Sequence, residues 1–330
     1  MLIIGLPFKE ATMKILFMGT PTFSVPILEA LAEKYPVCGV VTQPDKPVGR
    51  KKVLTPPPVK QSAEALNIPV FQPRKIKEDY QSLIDLKADC IVTAAYGQII
   101  PKALLDAPEY GAINIHASLL PKLRGGAPIQ RAIERRHKET GITIMKMSTR
   151  MDAGDIYKQK ALPINERETS ETLFPKLSLL GRDMIIEVLP EIFAKTLHAT
   201  PQNEEEATYA YNIKPEEEYL DFNQAGEDLD AKIRAFYPEP NTYTYLHKEK
   251  LKVIQAEFFN CESFFTLHGD KENGQILKII DDGIGVKTPT GALMLKVVQL
   301  QGKKAMPVKD FMNGAGKHKV FEGMVLKKPH

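Results

Sequence analysis

At 330 residues, with 43% hydrophobic and 26% charged side chains, the chain reads as an ordinary globular protein too long for one small core, so two domains are expected. A net charge of +3 is too small to select a partner, and Cys38, Cys90 and Cys261, few and widely spaced, argue against a disulfide framework or structural zinc and for a reducing compartment. No apolar run approaches the roughly twenty residues that a membrane span needs, and residues 1–12 lack the basic start and cleavage site of a signal peptide, so they read as an N-terminal extension of a cytoplasmic protein.

The first half alternates two kinds of segment. KILFMG (14–19), VCGVVT (37–42), DCIVTAAYG (89–97), AINIH (112–116) and GITIMKM (141–147) are short, apolar and bounded by turn residues, as buried strands are. SVPILEALAEKY, PVKQSAEALN and PIQRAIERRHKE have helical period and fall between them. Strand–helix alternation predicts an α/β domain over 13–200 with a doubly wound, mostly parallel sheet. A longer helix, roughly 169–198, closes it, with Pro175 expected near its start. The acidic, polar stretch 201–218 reads as a linker. Over 219–330 a short helix, AGEDLDAKIRAF, precedes five β-like runs separated mostly by glycine-bearing turns, which predicts a small antiparallel barrel.

Several common chemistries are excluded. FMGTPTFSVP has a single glycine where a dinucleotide fingerprint needs three, and no GxSxG elbow makes Ser118 a nucleophile. AINIH holds more interest, because side chains alternate along a strand and Asn114 and His116 therefore share one face. His116 ends its strand, and in doubly wound sheets ligand sites form at the carboxyl ends of the strands. GITIMKM runs on into STRMDAGD, whose Asp152 falls in a turn beyond that strand. An amide, an imidazole and a carboxylate converging there could manage an oxyanion and a moving proton. QPDKPVGRKKVLTPPPVK adds a local positive cluster, Lys46, Arg50, Lys51, Lys52 and Lys60 against Asp45, with prolines and a glycine that preclude a helix before Pro58. Lys303, Lys304 and Lys309 form a second cluster near the end of the chain.

Five separated stretches in order carry a resemblance: GTPTFSVPILEAL, VTQPDKPVGRKKVLTPPPVK, NIHASLLPKLRGGAPIQRAI followed by TGITIMKMSTRMDAGD, IRAFYPEP and GKKAM. Asn-x-His, then SLLP, then an aspartate in an Asp-x-Gly turn resembles the folate-dependent formyltransferases. The basic stretch and GKKAM are similar to the branch that formylates methionyl-tRNA. The resemblance implies a Rossmann-like domain joined to an OB-like β-barrel. It also implies transfer of a formyl group from 10-formyltetrahydrofolate to the α-amino group of methionine on initiator methionyl-tRNA, without a metal. In that scheme Asn114 and His116 stabilise the charge on the carbonyl oxygen, and Asp152 supports the imidazole and helps remove the amine proton. Ser118, Leu119, Leu120 and Pro121 form the folate-proximal turn, and Tyr96 with Gly97 the opposite wall. Lys46, Arg50, Lys51 and Lys52 would meet tRNA, with a monomer expected and no membrane contact. Lys46, Leu123, Lys146 and Arg150 depart from the family pattern. The competing readings are an amino-sugar nucleotide formyltransferase, a formyltetrahydrofolate hydrolase and an RNA-binding protein that keeps the fold.

Overall fold

The computed structural model describes residues 12–49, 51–260 and 268–329. Arg50, Cys261 and all of the N-terminal extension but Thr12 lie outside them.

The described chain forms two compact units. The first runs up to Pro128 and adds Glu139–Pro163 and Phe174–Tyr211; the second comprises Ile129–Lys138, Ile164–Leu173 and the chain from Asn212 onward. The acidic stretch read as a linker is therefore divided, its first eleven residues packing with the first unit. Ala210 is fully buried there.

In the first unit the strands are β1 (Ile15–Gly19), β2 (Val37–Val41), β3 (Lys46–Val48), β4 (Val53–Thr55), β5 (Val70–Phe71), β6 (Cys90–Ala94), β7 (Ala112–His116), β8 (Glu139–Lys146) and β9 (Ile156–Pro163). Seven of them make one sheet in the order β5-β2-β1-β6-β7-β8-β9. Pairing is parallel from β5 to β7 and antiparallel for β7 with β8 and β8 with β9. β1 and β6 are buried at every position, as strands covered on both faces must be. Helices α1 (Val25–Lys34) and α2 (Pro58–Ala65) follow strand ends as the periodicity predicts, each with proline in its first turn, where the missing donor is not needed. Short helical turns α3 (Gln81–Ile84) and α4 (Lys102–Leu105) complete the connections. α5 (Pro128–Glu134) follows β7, and the long helix α6 (Ser170–Phe193) follows β9. Gly181 of α6 lies against Ile115, Ile142 and Ile27, where an added Cβ would come within 2.8 Å of Ile115. That close approach covers the face of β7 opposite Asn114 and His116. Pro175 is the sixth residue of α6, deeper than the sequence suggested, and Pro190 is a second proline inside the helix.

Two elements differ from the sequence reading. GITIMKM belongs to a strand that runs antiparallel to β7 and pairs on its other side with β9, so this end of the sheet is antiparallel. The basic stretch after β2 forms a separate two-stranded hairpin, β3–β4, in register Lys46 with Thr55 and Val48 with Val53. Pro47 is tolerated because the ribbon has only edges.

In the second unit α7 (Gly226–Phe236) precedes β10 (Thr242–Leu246), β11 (Glu249–Phe259), β12 (Ile276–Ile280), β13 (Gly283–Thr288), β14 (Gly291–Leu300) and β15 (Met306–Pro307), followed by α8 (Val308–Asn313). The six strands form one antiparallel sheet in the order β10-β11-β14-β13-β12, with β15 on β14. Inward residues alternate along β10 and β14, and Leu246, Val253, Ile284, Leu293 and Leu295 build the core with Leu229 and Ile233 of α7. Lys309 is paired with Asp281 at 3.0 Å, and Lys303 and Lys304 are exposed.

Candidate active site

The order of the first sheet reverses at β1: β2 lies on one side, and β6, reached later in the chain, on the other. A crevice at the carboxyl ends of the strands beside such a reversal is where open α/β sheets hold ligands. Three polar side chains lie at these strand ends. The Thr20 hydroxyl and the Gln43 amide both donate to the Tyr96 carbonyl, at 2.8 and 3.2 Å. Gln98 donates to the Pro73 carbonyl at 3.2 Å and accepts from the Ile76 amide at 2.9 Å. Gly97 has φ +94, and an added Cβ would meet only the Gln43 amide, at 3.6 Å, so the backbone there faces open space. Tyr96 departs from its expected part. Its ring belongs to the core with Leu16, Ile91 and Ile100, and burial pushes its phenol up to about 12. Its side chain is structural, and only its carbonyl stands at the crevice.

One strand further along, the Thr93 hydroxyl of β6 donates to Asn114 Oδ1 at 2.8 Å. Thr93 and Asn114 are register partners, so their side chains share a face. The contact fixes the amide with its oxygen occupied and its Nδ2 turned away; among the described residues Nδ2 has no protein acceptor. Asn114 is half-buried, which leaves that donor accessible from outside.

His116 ends β7 and is 6% exposed. Its Nε2 lies 3.0 Å from the Leu123 carbonyl, which can only accept, so the proton is assigned to Nε2. Nδ1 then faces Asp152 Oδ2 at 3.6 Å. That separation is too long for a direct hydrogen bond, so Nδ1 is not tied to the carboxylate. Asp152 Oδ2 is held by the Gly125 amide at 2.8 Å. The route by which Asp152 arrives differs from the sequence argument. β8 ends beside Ile113, at the amino-terminal part of β7, and the 147–155 connection folds back along the face to bring the carboxylate to His116. The amide, the imidazole and the carboxylate therefore lie on one face of the sheet, with the latter two in contact range.

The loop 121–127 carries much of this geometry. Leu123 has φ +62, which turns its carbonyl onto the imidazole, and Gly125 has φ +122. A Cβ on Gly125 would lie 2.7 Å from the Ala210 carbonyl, so no other residue fits without displacement. Arg124 between them is 1% exposed. It donates to Gln202 Oε1 from Nε and Nη2, at 3.1 and 2.8 Å, and forks onto both oxygens of Glu204 at 3.1 Å. Gln202 in turn donates to the carbonyls of Asp152 and Gly154 at 2.8 and 2.7 Å. Arg150, one of the departures from the family pattern, adds a 2.7 Å contact to Glu204.

The SLLP turn is saturated internally. Thr143 takes the Ser118 carbonyl at 2.6 Å and receives the Leu120 amide at 3.2 Å, and Gln159 donates to the Leu120 carbonyl at 2.8 Å. The Ser118 hydroxyl donates to the Lys122 carbonyl, and the Pro121 carbonyl accepts from the Thr208 amide. The polar backbone that the sequence reading offered to a cofactor is thus mostly committed to holding the turn. Ser118 and Leu120 are buried, so of this turn only Leu119 and Pro121 present surface.

On the β3–β4 hairpin Lys46, Lys51 and Lys52 are exposed, as are Val48, Val53 and Leu54. Lys60 does not join them: it pairs with Asp45 at 2.9 Å, and Gln72 donates to the same carboxylate at 2.8 Å, which together pin the base of the hairpin. Sequence reasoning missed Thr93, Gln43, Gln98, Arg124, Gln202 and Glu204. Gln43 carried a usable signal, being a polar residue just past a strand's carboxyl end; Gln202 and Glu204 carried none. Among the described residues no group of three acidic, histidine or cysteine side chains is arranged to hold a metal ion, and no helix is long and apolar enough to cross a membrane.

Comparison with known proteins bears on this geometry. Residues 13–189 match the formyl transferase family and residues 212–316 its formyl transferase, C-terminal domain. The methionyl-tRNA formyltransferase of Geobacillus sp. is 49% identical over 322 residues, 96% of this chain and 99% of that protein. The protein of the same name from Listeria monocytogenes is 46% identical over 310 residues, 92% of this chain and 96% of that one. Among solved structures, the N-formyltransferase of Helicobacter canadensis with folinic acid and dTDP-3-aminofucose shares the fold, with a TM-score of 0.62 at 18% identity over 86% of this chain and 98% of that one. HypX from Aquifex aeolicus with tetrahydrofolic acid gives a TM-score of 0.61 at 16% identity over 96% of this chain, which spans about half (51%) of HypX.

Proposed function

The chain belongs to the formyl transferase family, and from that membership and the His116 geometry we propose that it formylates the α-amino group of methionine on initiator methionyl-tRNA, with 10-formyltetrahydrofolate as the donor. The observation that carries the chemistry is the imidazole Nδ1 facing Asp152 Oδ2 at 3.6 Å, with the Asn114 amide aimed outward on the same face. The folate supplies a formyl group activated toward attack by an amine. Asn114 Nδ2 donates to the formyl oxygen as charge gathers there, and because Thr93 already holds the amide, little reorganisation is needed at that moment. His116 contributes through Nδ1, since Nε2 is committed to Leu123. As a cation it offers Nδ1–H as a second donor to the oxygen. Asp152, opposite, accepts the proton the amine must lose, through a water that reaches both, and as the bond from the formyl carbon to the folate N10 breaks, that proton passes on to N10, so the folate leaves as neutral tetrahydrofolate. The rest is positioning, for which the pinned 121–127 loop is suited.

The donor's flat ring suits the crevice at the ends of β1, β2 and β6, where Gln43, Gln98 and the open backbone at Gly97 offer amide edges to a heteroaromatic ring. Leu119 and Pro121 bound it by shape, Ser118 and Leu120 hold the turn behind them, and Tyr96 supports it from beneath. Lys46, Lys51 and Lys52 on the exposed hairpin engage phosphates of the tRNA, with Arg50 between them in sequence. The second unit, read as an OB-like barrel, presents Lys303 and Lys304 as a further contact. The enzyme acts in the cytoplasm, as a monomer.

The test is the fate of labelled formyl. Given donor and charged initiator tRNA, the label is expected on the tRNA-borne methionine. Label appearing instead on an amino-sugar nucleotide, or released as formate without any acceptor, would overturn the assignment.

A further inference from the structure

Tyr209 and Tyr211 stand side by side on the segment that completes the first unit. Their rings are parallel, with centroids 5.6 Å apart and planes within 4°, and they are 40% and 60% exposed. Large aromatic rings so exposed on a tightly held segment are unusual, and this segment is tightly held. Arg124 bridges to Tyr209: its amide donates to the Thr208 carbonyl at 2.9 Å, and its carbonyl accepts from the Ala210 amide at 2.7 Å. Ala127 donates to the Ala210 carbonyl at 3.0 Å, and the Leu123 amide donates to the Thr208 hydroxyl at 2.9 Å. The Tyr209 phenol neighbours the buried Arg124 guanidinium, so the polar end of the ring points inward while its body stays in solvent.

Position gives the pair meaning. Arg124 adjoins both Leu123, whose carbonyl holds His116, and Gly125, whose amide holds Asp152. A bridged neighbour is separated by about 5 Å, so the pair stands one strand spacing from the loop that holds His116 and Asp152, within the length of a nucleoside and its esterified amino acid. The surrounding segment is acidic, with Glu205 and Glu206 exposed just before the pair. Such a surface repels phosphates and favours contact through an uncharged ring face.

We infer that Tyr209 and Tyr211 form a stacking platform for the unpaired nucleobase at the 3′ end of the aminoacylated acceptor, holding its ester-linked amino acid over His116. The inference rests on the tRNA reading of the preceding section. An unpaired base needs no groove and offers a π face whatever its identity, which matches a flat and open pair of rings. The donor's pterin fits less well, because small-molecule sites enclose most of the ligand surface.

The experiment uses the full chain and three variants, Y211A, Y209F and Y209A. Tyr211 is the more exposed ring, and removing it threatens the fold least. For Y211A the KM for charged initiator tRNA is expected to rise about tenfold, with kcat and the KM for the folate donor within about twofold of wild type. That rise is expected to persist at high salt, unlike a phosphate contact. Y209F keeps the stacking ring and should retain more of the tRNA affinity than Y209A, which should behave at least as badly as Y211A. An initiator tRNA carrying 2-aminopurine as its last base should lose fluorescence on binding the wild type and much less on binding Y211A. If wild type formylates tRNA but Y211A leaves its KM and the 2-aminopurine signal unchanged, the platform is wrong and the tRNA reading survives. A rise in the donor KM alone would assign the rings to folate and overturn the inference. Absence of tRNA formylation by the wild type would overturn the reading and the platform together.

Discussion

The His116 corner and the β3–β4 hairpin are both polar, both follow strands of the same sheet, and are built on opposite terms. At the corner nearly every functional atom has a partner that fixes it: Thr93 for Asn114, Leu123 for the imidazole, Gly125 for Asp152, and Arg124 with Gln202 behind them. The hairpin is two three-residue strands paired to each other, held at its base by Asp45 with Lys60 and Gln72 and carrying its lysines into solvent. Acyl transfer depends on placement to a fraction of an ångström, so its groups must be over-determined. A polyanion's phosphates are met well enough by long, hydrated side chains that adjust on contact. The difference teaches which region a substitution should damage in rate and which in affinity.

The sharpest test of that division is at the corner. His116→Ala and Asp152→Ala are each expected to lower kcat by about 10²- to 10⁴-fold, with the KM for tRNA near that of wild type and the fold retained. Near-normal turnover by either folded variant would remove the corner from the chemistry. Gly125→Ala comes next and attacks placement alone. The backbone there has φ +122, and the new methyl would meet the Ala210 carbonyl at 2.7 Å, so the loop must shift and the amide must leave Asp152. A stability loss of roughly 2 kcal/mol and a fall in kcat without change in tRNA affinity are expected, read from urea melts and steady-state rates. If Gly125→Ala lowers stability yet leaves kcat intact, the Asp152 contact is structural rather than positional.

How much of this was legible beforehand follows physical lines. Strands β1, β2, β6 and β7 announce themselves because buried parallel strands are unbroken apolar runs between turn residues, and the shared face of Asn114 and His116 follows from alternation alone. The direction of β8 does not, since the same apolar run serves a parallel or an antiparallel neighbour, and the route that carries Asp152 to within 3.6 Å of His116 is not legible either. The hairpin was hidden by its prolines, which read as loop unless the strand is known to have no inner neighbour. The resemblance puts Tyr96 at the tip of a pocket wall, but alternation past the strand end does not tell which way its ring turns, and it turns into the core. The least legible residues are Gln202 and Glu204, which meet Arg124 across 78 and 80 positions of chain, from a stretch whose composition suggested only solvent.

Charge reversal on the hairpin probes the other side of the comparison. Lys51→Glu with Lys52→Glu is expected to raise the KM for tRNA about tenfold, to leave kcat unchanged, and to flatten the slope of log K against log salt by about two. Unchanged salt dependence would mean that the hairpin does not meet the acceptor's phosphates. A fall in kcat with constant KM would erase the contrast between the regions, since affinity and rate would then share one structure.

The smallest effect, and the one that ties the corner to the acidic stretch behind it, is in acid. Arg124 first, and then Arg150, hold the Glu204 carboxyl below the ordinary value of 4.5. The folded protein therefore binds that proton less readily than the unfolded chain does. The contribution to stability is fully present above the ordinary carboxylate range and is lost as pH falls through the lower, folded value. Glu204 is half exposed, so solvent screens the contact and the effect on melting is modest. Melting temperatures of wild type and Glu204→Gln are expected to differ at pH 7, by a gap that holds down to about pH 5 and closes as the pH falls further below 4.5. A gap of constant size from pH 7 to pH 3 would show that the variant perturbs packing rather than charge. Gln202 alone would then suffice to hold Arg124, and the loop under His116 would owe nothing to the carboxylate.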